Sequence, residues 1–65
     1  MRGVALPEYL EVTIQSVDSL GRGVAFLPDG SIVVVEGGLP GQRVKAKVKF
    51  ATLVMGRRVI IATRV

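Results

Sequence analysis

Apolar and polar side chains alternate along most of this 65-residue chain, and the alternation stops at clusters of glycine, proline and aspartate. A period of two marks a strand, because successive side chains point to opposite faces. In residues 9 to 17, Leu10, Val12, Ile14 and Ser16 share one face while Glu11, Thr13 and Gln15 take the other. Residues 24 to 27 and 31 to 36 read as two strands of a hairpin, joined through Pro28-Asp29-Gly30. Proline presets φ for the turn and Asp-Gly tolerates the conformation that follows. Gly37-Gly38-Leu39-Pro40-Gly41 punctuates the chain again before a strand over residues 42 to 50. Residues 51 to 56 fit no single element, and a turn at Gly56 precedes a last strand over residues 58 to 65. No window carries an apolar period of 3.6, and eight glycines oppose long helices. The pattern predicts an all-β fold: a small five-stranded antiparallel barrel over residues 9–65, preceded by an arm over residues 1–8 that contains Pro7. Closure into a barrel also removes the exposed edges of a small open sheet.

Two of these strands are apolar on both faces. Ile32 and Val34 oppose Val33 and Val35, and Val59 and Ile61 oppose Ile60 and Ala62. One face fills a barrel; the other needs cover from the arm at Val4-Ala5-Leu6, from a second chain or from a larger parent protein.

The segment Arg43-Val-Lys-Ala-Lys-Val-Lys-Phe50 separates charge from apolar bulk most sharply. As a strand it sets Arg43, Lys45, Lys47 and Lys49 on one face, about 7 Å apart, and Val44, Ala46, Val48 and Phe50 on the other. No carboxylate stands between the cations along the strand. Such a ladder suits a polyanion; it equally suits a lysine edge that discourages strand-to-strand aggregation.

Composition bears on that choice. Nine Lys and Arg face five Asp and Glu, and all five acids precede residue 37 while seven of the basic residues follow it. Segregation of this kind points toward nucleic acid or another acidic surface. The chain has no cysteine and no histidine, which removes the thiol nucleophile, the imidazole base and the usual zinc ligands. Gly21-Arg22-Gly23 is only a G-x-G, and no phosphate loop follows Gly41. A binding domain without catalytic residues, metal or cofactor is expected. No apolar run approaches a membrane span and no signal peptide is visible, so a cytoplasmic location away from membranes is expected.

Residues 11 to 48 carry a resemblance. The strand Val12-Thr13-Ile14, the loop Gly21-Arg22-Gly23-Val24-Ala25, the hairpin Asp29 through Val35 and the segment Leu39-Pro40-Gly41-Gln42-Arg43-Val44 resemble, in order and spacing, the TRAM domain. The resemblance implies a barrel of the OB-fold type that presents RNA, often transfer RNA, to a methylating or thiolating domain, or that acts as a free-standing chain. Two departures stand out. Gln42 occupies a place where the family often has an acid, and residues 55 to 62 look more like TRAM segments attached to PIN-type nuclease domains.

The expected RNA contacts are Arg43, Lys45, Lys47 and Lys49 on phosphates, Arg22 between two glycines, and Arg57 and Arg58 at the last turn. Among the three aromatics, Phe26 is a stacking candidate that also suits the core, Tyr9 suits either role, and Phe50 is expected inside. With few aromatic platforms, electrostatics should dominate and sequence specificity should be poor. The alternatives are a protein-interaction or dimerisation module, with a second copy as partner, and an accessory domain of an RNA-modifying or PIN-type protein.

Overall fold

A computed structural model describes residues 6–65, and every regular element among them is a strand. There are six: β1 (Tyr9–Thr13), β2 (Ser16–Val17), β3 (Gly23–Phe26), β4 (Ile32–Glu36), β5 (Arg43–Val54) and β6 (Arg57–Arg64). They form one sheet in the order β1-β5-β6-β4-β3-β2. The two outermost strands are consecutive in the chain, so the sheet curls until its ends meet through Ile14 and Gln15. The Ile14 amide donates to the Gln42 carbonyl at 2.8 Å, on the β5 side, and the Gln15 amide donates to the Val24 carbonyl at 2.7 Å, on the β3 side. One bent strand thereby serves both edges of the barrel.

The expected first strand is this bent pair, which raises the strand number from five to six. The bend also changes the phase: Ile14 is buried, whereas Ser16 is exposed and pairs with Val24. Ile14 packs where the chain crosses two glycines. A Cβ on Gly23 or Gly38 would stand 2.9 Å from the Ile14 Cδ1. At Gly23 and Gly38 the sequence therefore keeps room for a buried isoleucine as much as it serves a turn.

The barrel is not wholly antiparallel. β4 and β6 run parallel, with Val33 beside Ile60 and Val35 beside Ala62. These four residues, with Val12, Ile14, Ala25, Val44 and Ala46, make the buried core. Strands apolar on both faces are those that lie in the middle of a sheet beside a parallel neighbour. Their outer faces cover one another: Val34 pairs with Val24 on one side and Ile61 on the other, and only 8% of it is exposed. Of the arm expected to provide this cover, Val4 and Ala5 lie outside the described residues.

β5 runs four residues beyond its expected end and carries a bulge. Val48 pairs with Ala62 and Phe50 with Ile61, which leaves Lys49 without a partner. An extra residue inverts the alternation that follows it. Phe50, expected inside, therefore joins the outer face and is 54% exposed, and Ala51 takes the inward position opposite Ile60. β5 and β6 end in a two-residue turn in which Met55 (φ 52°) and Gly56 (φ 79°) both adopt positive φ, as this tight hairpin requires.

Candidate nucleic-acid interface

The register between β1 and β5 builds the basic surface. Thr13 stands opposite Arg43, Glu11 opposite Lys45 and Tyr9 opposite Lys47. Val44 and Ala46 are buried in the core, so the three cations are held outward by the packing of their own neighbours. Lys45 leans along the face until its Nζ lies 4.9 Å from the centre of the Tyr9 ring. An arginine Nη1–H of Arg43 donates to the Thr13 hydroxyl at 3.2 Å. Lys49, displaced by the bulge, approaches Glu36 at 3.6 Å, with both side chains about half exposed. At that exposure the pair is screened by water and contributes little. The ladder is free of acid along its own strand, yet Glu11 and Glu36 flank it from neighbouring strands.

Three of the arginines expected at the interface differ in how free they are. Arg22 is committed to its own loop. Its Nε donates to Asp18 Oδ2 at 2.8 Å, and Asp18 Oδ1 accepts the amides of Leu20 and Arg22. The Arg22 amide, foremost, holds the Asp18 carboxyl below its ordinary pKa. Arg58 is likewise occupied, as its Nε donates to the buried Ser31 hydroxyl at 3.0 Å and its Nη2 to Asp29 Oδ2 at 2.9 Å. The Ser31 amide bonds Asp29 in turn and lowers that carboxyl's pKa. Arg58 thus ties β6 to the β3–β4 turn and does not join the basic face. Arg57 is exposed and makes no ion pair among the described residues. It lines a shallow apolar groove of about 310 Å³ with Ile32, Val54, Met55 and Val59.

Phe26 lies across β1 from the ladder, outward on β3 and 55% exposed. It lines a cleft of about 360 Å³ at the seam where β1 parts from β3, together with Glu11, Thr13, Gln15 and Arg43. Arg43 therefore belongs to both features. The structure gathers Arg43, Lys45, Lys47 and Phe26 on adjoining surfaces, sets Lys49 at their border, and leaves Arg22, Arg57 and Arg58 elsewhere. Two exposed aromatics join the surface from sequence positions that were ambiguous or misassigned: Tyr9 beside Lys45, and Phe50 just past Lys49. For Tyr9 the signal was its place two residues before Glu11 on an alternating strand. For Phe50 no single-strand pattern could have shown the bulge.

Among the described residues no group of three or more His, Cys, Asp or Glu side chains is placed to hold a metal ion. None of their elements is a helix long and apolar enough to cross a membrane.

A closed sheet joined by one bent strand, with cations and aromatics on its outer face, defines an OB-type barrel of the kind that binds nucleic acids. A family model described as the TRAM domain matches residues 7–57, and the chain belongs to this family. Among curated proteins it is similar to the 23S rRNA (uracil(1939)-C(5))-methyltransferase RlmD of Polaromonas sp., at 45% identity over 47 residues, covering 69% of this chain and 10% of that protein. The RlmD of Halomonas elongata is 55% identical over 38 residues, covering 58% of this chain and 8% of the relative. The chain spans about a tenth of the length of these relatives. Both are named for uracil methylation rather than for a PIN-type nuclease. Among solved structures, a conserved protein of Methanococcus maripaludis superposes with a TM-score of 0.76 at 29% identity, covering 95% of this chain and 81% of that one.

Proposed function

We propose that this barrel is an RNA-binding module that holds the phosphate backbone on the outer face of β5 and β1, with little sequence specificity along that track. The observation that carries it is the β1–β5 register, which sets Arg43, Lys45 and Lys47 side by side with the Tyr9 ring beneath Lys45. Lys49 extends the positive surface at its border, and Arg57 supplies a separate cation beside the apolar groove. Transfer RNA, or another structured or single-stranded RNA such as ribosomal RNA, is the expected ligand. The RlmD relatives act on 23S rRNA by name, and the TRAM resemblance favours transfer RNA. The module binds and does not catalyse; any chemistry belongs to a catalytic RNA-modifying domain with which it associates. No metal or cofactor is needed, and the cytoplasm is the expected compartment.

The test is a salt titration of RNA affinity followed by fluorescence anisotropy. Each single-strand phosphate neutralised contributes a slope of about −0.7 to log K against log salt. Replacing Lys45 and Lys47 by glutamine should flatten the slope by about 1.4 and weaken all sequences alike, because phosphate contacts carry no base information. An unchanged slope would reduce the ladder to a solvated edge. A second reading is favoured by the apolar groove beside Met55, which is fully exposed: this side docks a catalytic domain or a second copy. Sedimentation of the isolated chain separates these, since a stable dimer indicates self-association.

A further inference from the structure

Resting on the RNA-binding reading above, we propose that the cleft between β1 and β3 is a one-nucleotide reading site selective for guanine. Its volume, about 360 Å³, lies at the small end of ligand pockets (about 300–1,000 Å³) and suits a single nucleoside. Leu27 and Pro28 give it an apolar wall. Phe26, more than half exposed on its rim, offers a ring face on which a splayed base stacks.

The polar groups in the cleft are complementary to one base. Arg43 spends one Nη1–H on Thr13 and keeps its remaining donors; a guanidinium pairs bidentately with the O6 and N7 acceptors of guanine. Glu11 makes no hydrogen bond or ion pair among the described residues, because its cross-strand neighbour Lys45 is turned onto the Tyr9 ring. Its carboxylate suits the adjacent N1–H and N2–H donors on the other edge of guanine. The Gln15 side chain, also without a protein hydrogen bond among the described residues, can give or take one more. Adenine offers a single donor group and no O6 acceptor. Cytosine can offer N3 and O2 to Arg43 but gives Glu11 only its amino group where guanine gives N1–H and N2–H together, and uracil offers the carboxylate one donor. Because Arg43 begins the phosphate track, a strand held along β5 passes the mouth of the cleft. The site thus adds one reading position to an otherwise sequence-blind surface.

The experiment compares oligouridines of about eight residues, with a central uridine, guanosine, adenosine or cytidine, by anisotropy at about 50 mM salt. The guanosine oligomer should bind about tenfold more tightly than the all-uridine one, and the other two within about threefold of it. Phe26→Ala should remove the advantage, and Glu11→Gln should erase most of it while leaving the all-uridine affinity equal or higher. Circular dichroism checks that both variants fold. If all four oligomers bind the parent within twofold of each other, the reading site is refuted while backbone binding stands. A guanosine advantage that survives both variants refutes this location. If no oligomer binds at all, backbone binding fails and the reading site with it.

Discussion

The two halves of β5 both carry apolar residues and put them to opposite uses. From Arg43 to Val48 the strand points cations outward and seals Val44 and Ala46 into the core. Beyond Lys49 the order inverts: Phe50, Thr52 and Val54 face outward beside Ile61, Val59 and Arg57, while Ala51 still faces the core opposite Ile60. A single unpaired residue separates a face built for a polyanion from one that is mostly apolar. The bulge acts as a phase switch, and the chemistry of the outer surface depends on where it falls as much as on which residues are present.

The most direct test of this contrast is to remove the bulge. Deleting Lys49 leaves Val48 on Ala62 and Phe50 on Ile61 as consecutive pairs, so both halves keep their phase in a regular ladder. The deletion should therefore preserve a cooperative urea transition, and loss of that transition would show that the bulge itself is required. Lys49→Gln, which keeps the bulge, should leave that transition nearly unmoved. The largest loss of stability is expected from Gly38→Ala, which pushes a methyl against Ile14 at the seam that supports the first half of β5. Overpacking of this kind costs about 1–3 kcal/mol, read as a lower urea midpoint at constant m-value. At the level of binding, Arg57→Gln on the apolar half should change the salt slope by about 0.7 at most, half the effect of the Lys45 and Lys47 pair.

Acid sharpens the contrast from the other side, because the second half leans on Arg58 and Asp29. Asp18 and Asp29 have folded pKa values below the ordinary 3.8. Their stabilisation is therefore complete above that value and is lost as pH falls through the depressed folded pKa values. Melting temperature should fall below about pH 4, and Asp29→Asn should flatten part of that fall. The smallest effect belongs to the hairpin tip, where a non-glycine residue holds positive φ at Met55. Met55→Asn, which tolerates this conformation, should raise stability by up to about 1 kcal/mol in thermal melts.

What was legible in the sequence was local. Turn chemistry at Pro28-Asp29-Gly30 placed a loop where the aspartate accepts a backbone amide, and alternation identified the outward cations. The phase breaks at Ile14–Gln15 and at Lys49 were not legible, because a bulge or a shared strand is a property of paired strands. The doubled apolarity of residues 32–35 and 59–62 was visible but read as a demand for outside cover. It also marked the two central strands, lying parallel with Val33 against Ile60, while the outward Ile32 and Val59 line the apolar groove. Arg58 looked like its neighbour Arg57, and only the positions of Ser31 and Asp29 separate a tethered arginine from one that makes no ion pair among the described residues.

The bent strand that closes the barrel also sets a schedule for synthesis. As the chain leaves the ribosome, Tyr9–Thr13 emerges with no native neighbour until Arg43–Lys47 follows, and β4 must wait for Val59–Thr63. Contacts this distant along the sequence are slow to form, since loop closure must precede them. Residues 16 to 36 can meet early as local hairpins, but the ring itself closes only after Arg64 is clear of the exit tunnel. Until then the valines of β4 are open to the nascent chain's surroundings. In any protein that carries this segment, the barrel is acquired in one late step rather than strand by strand.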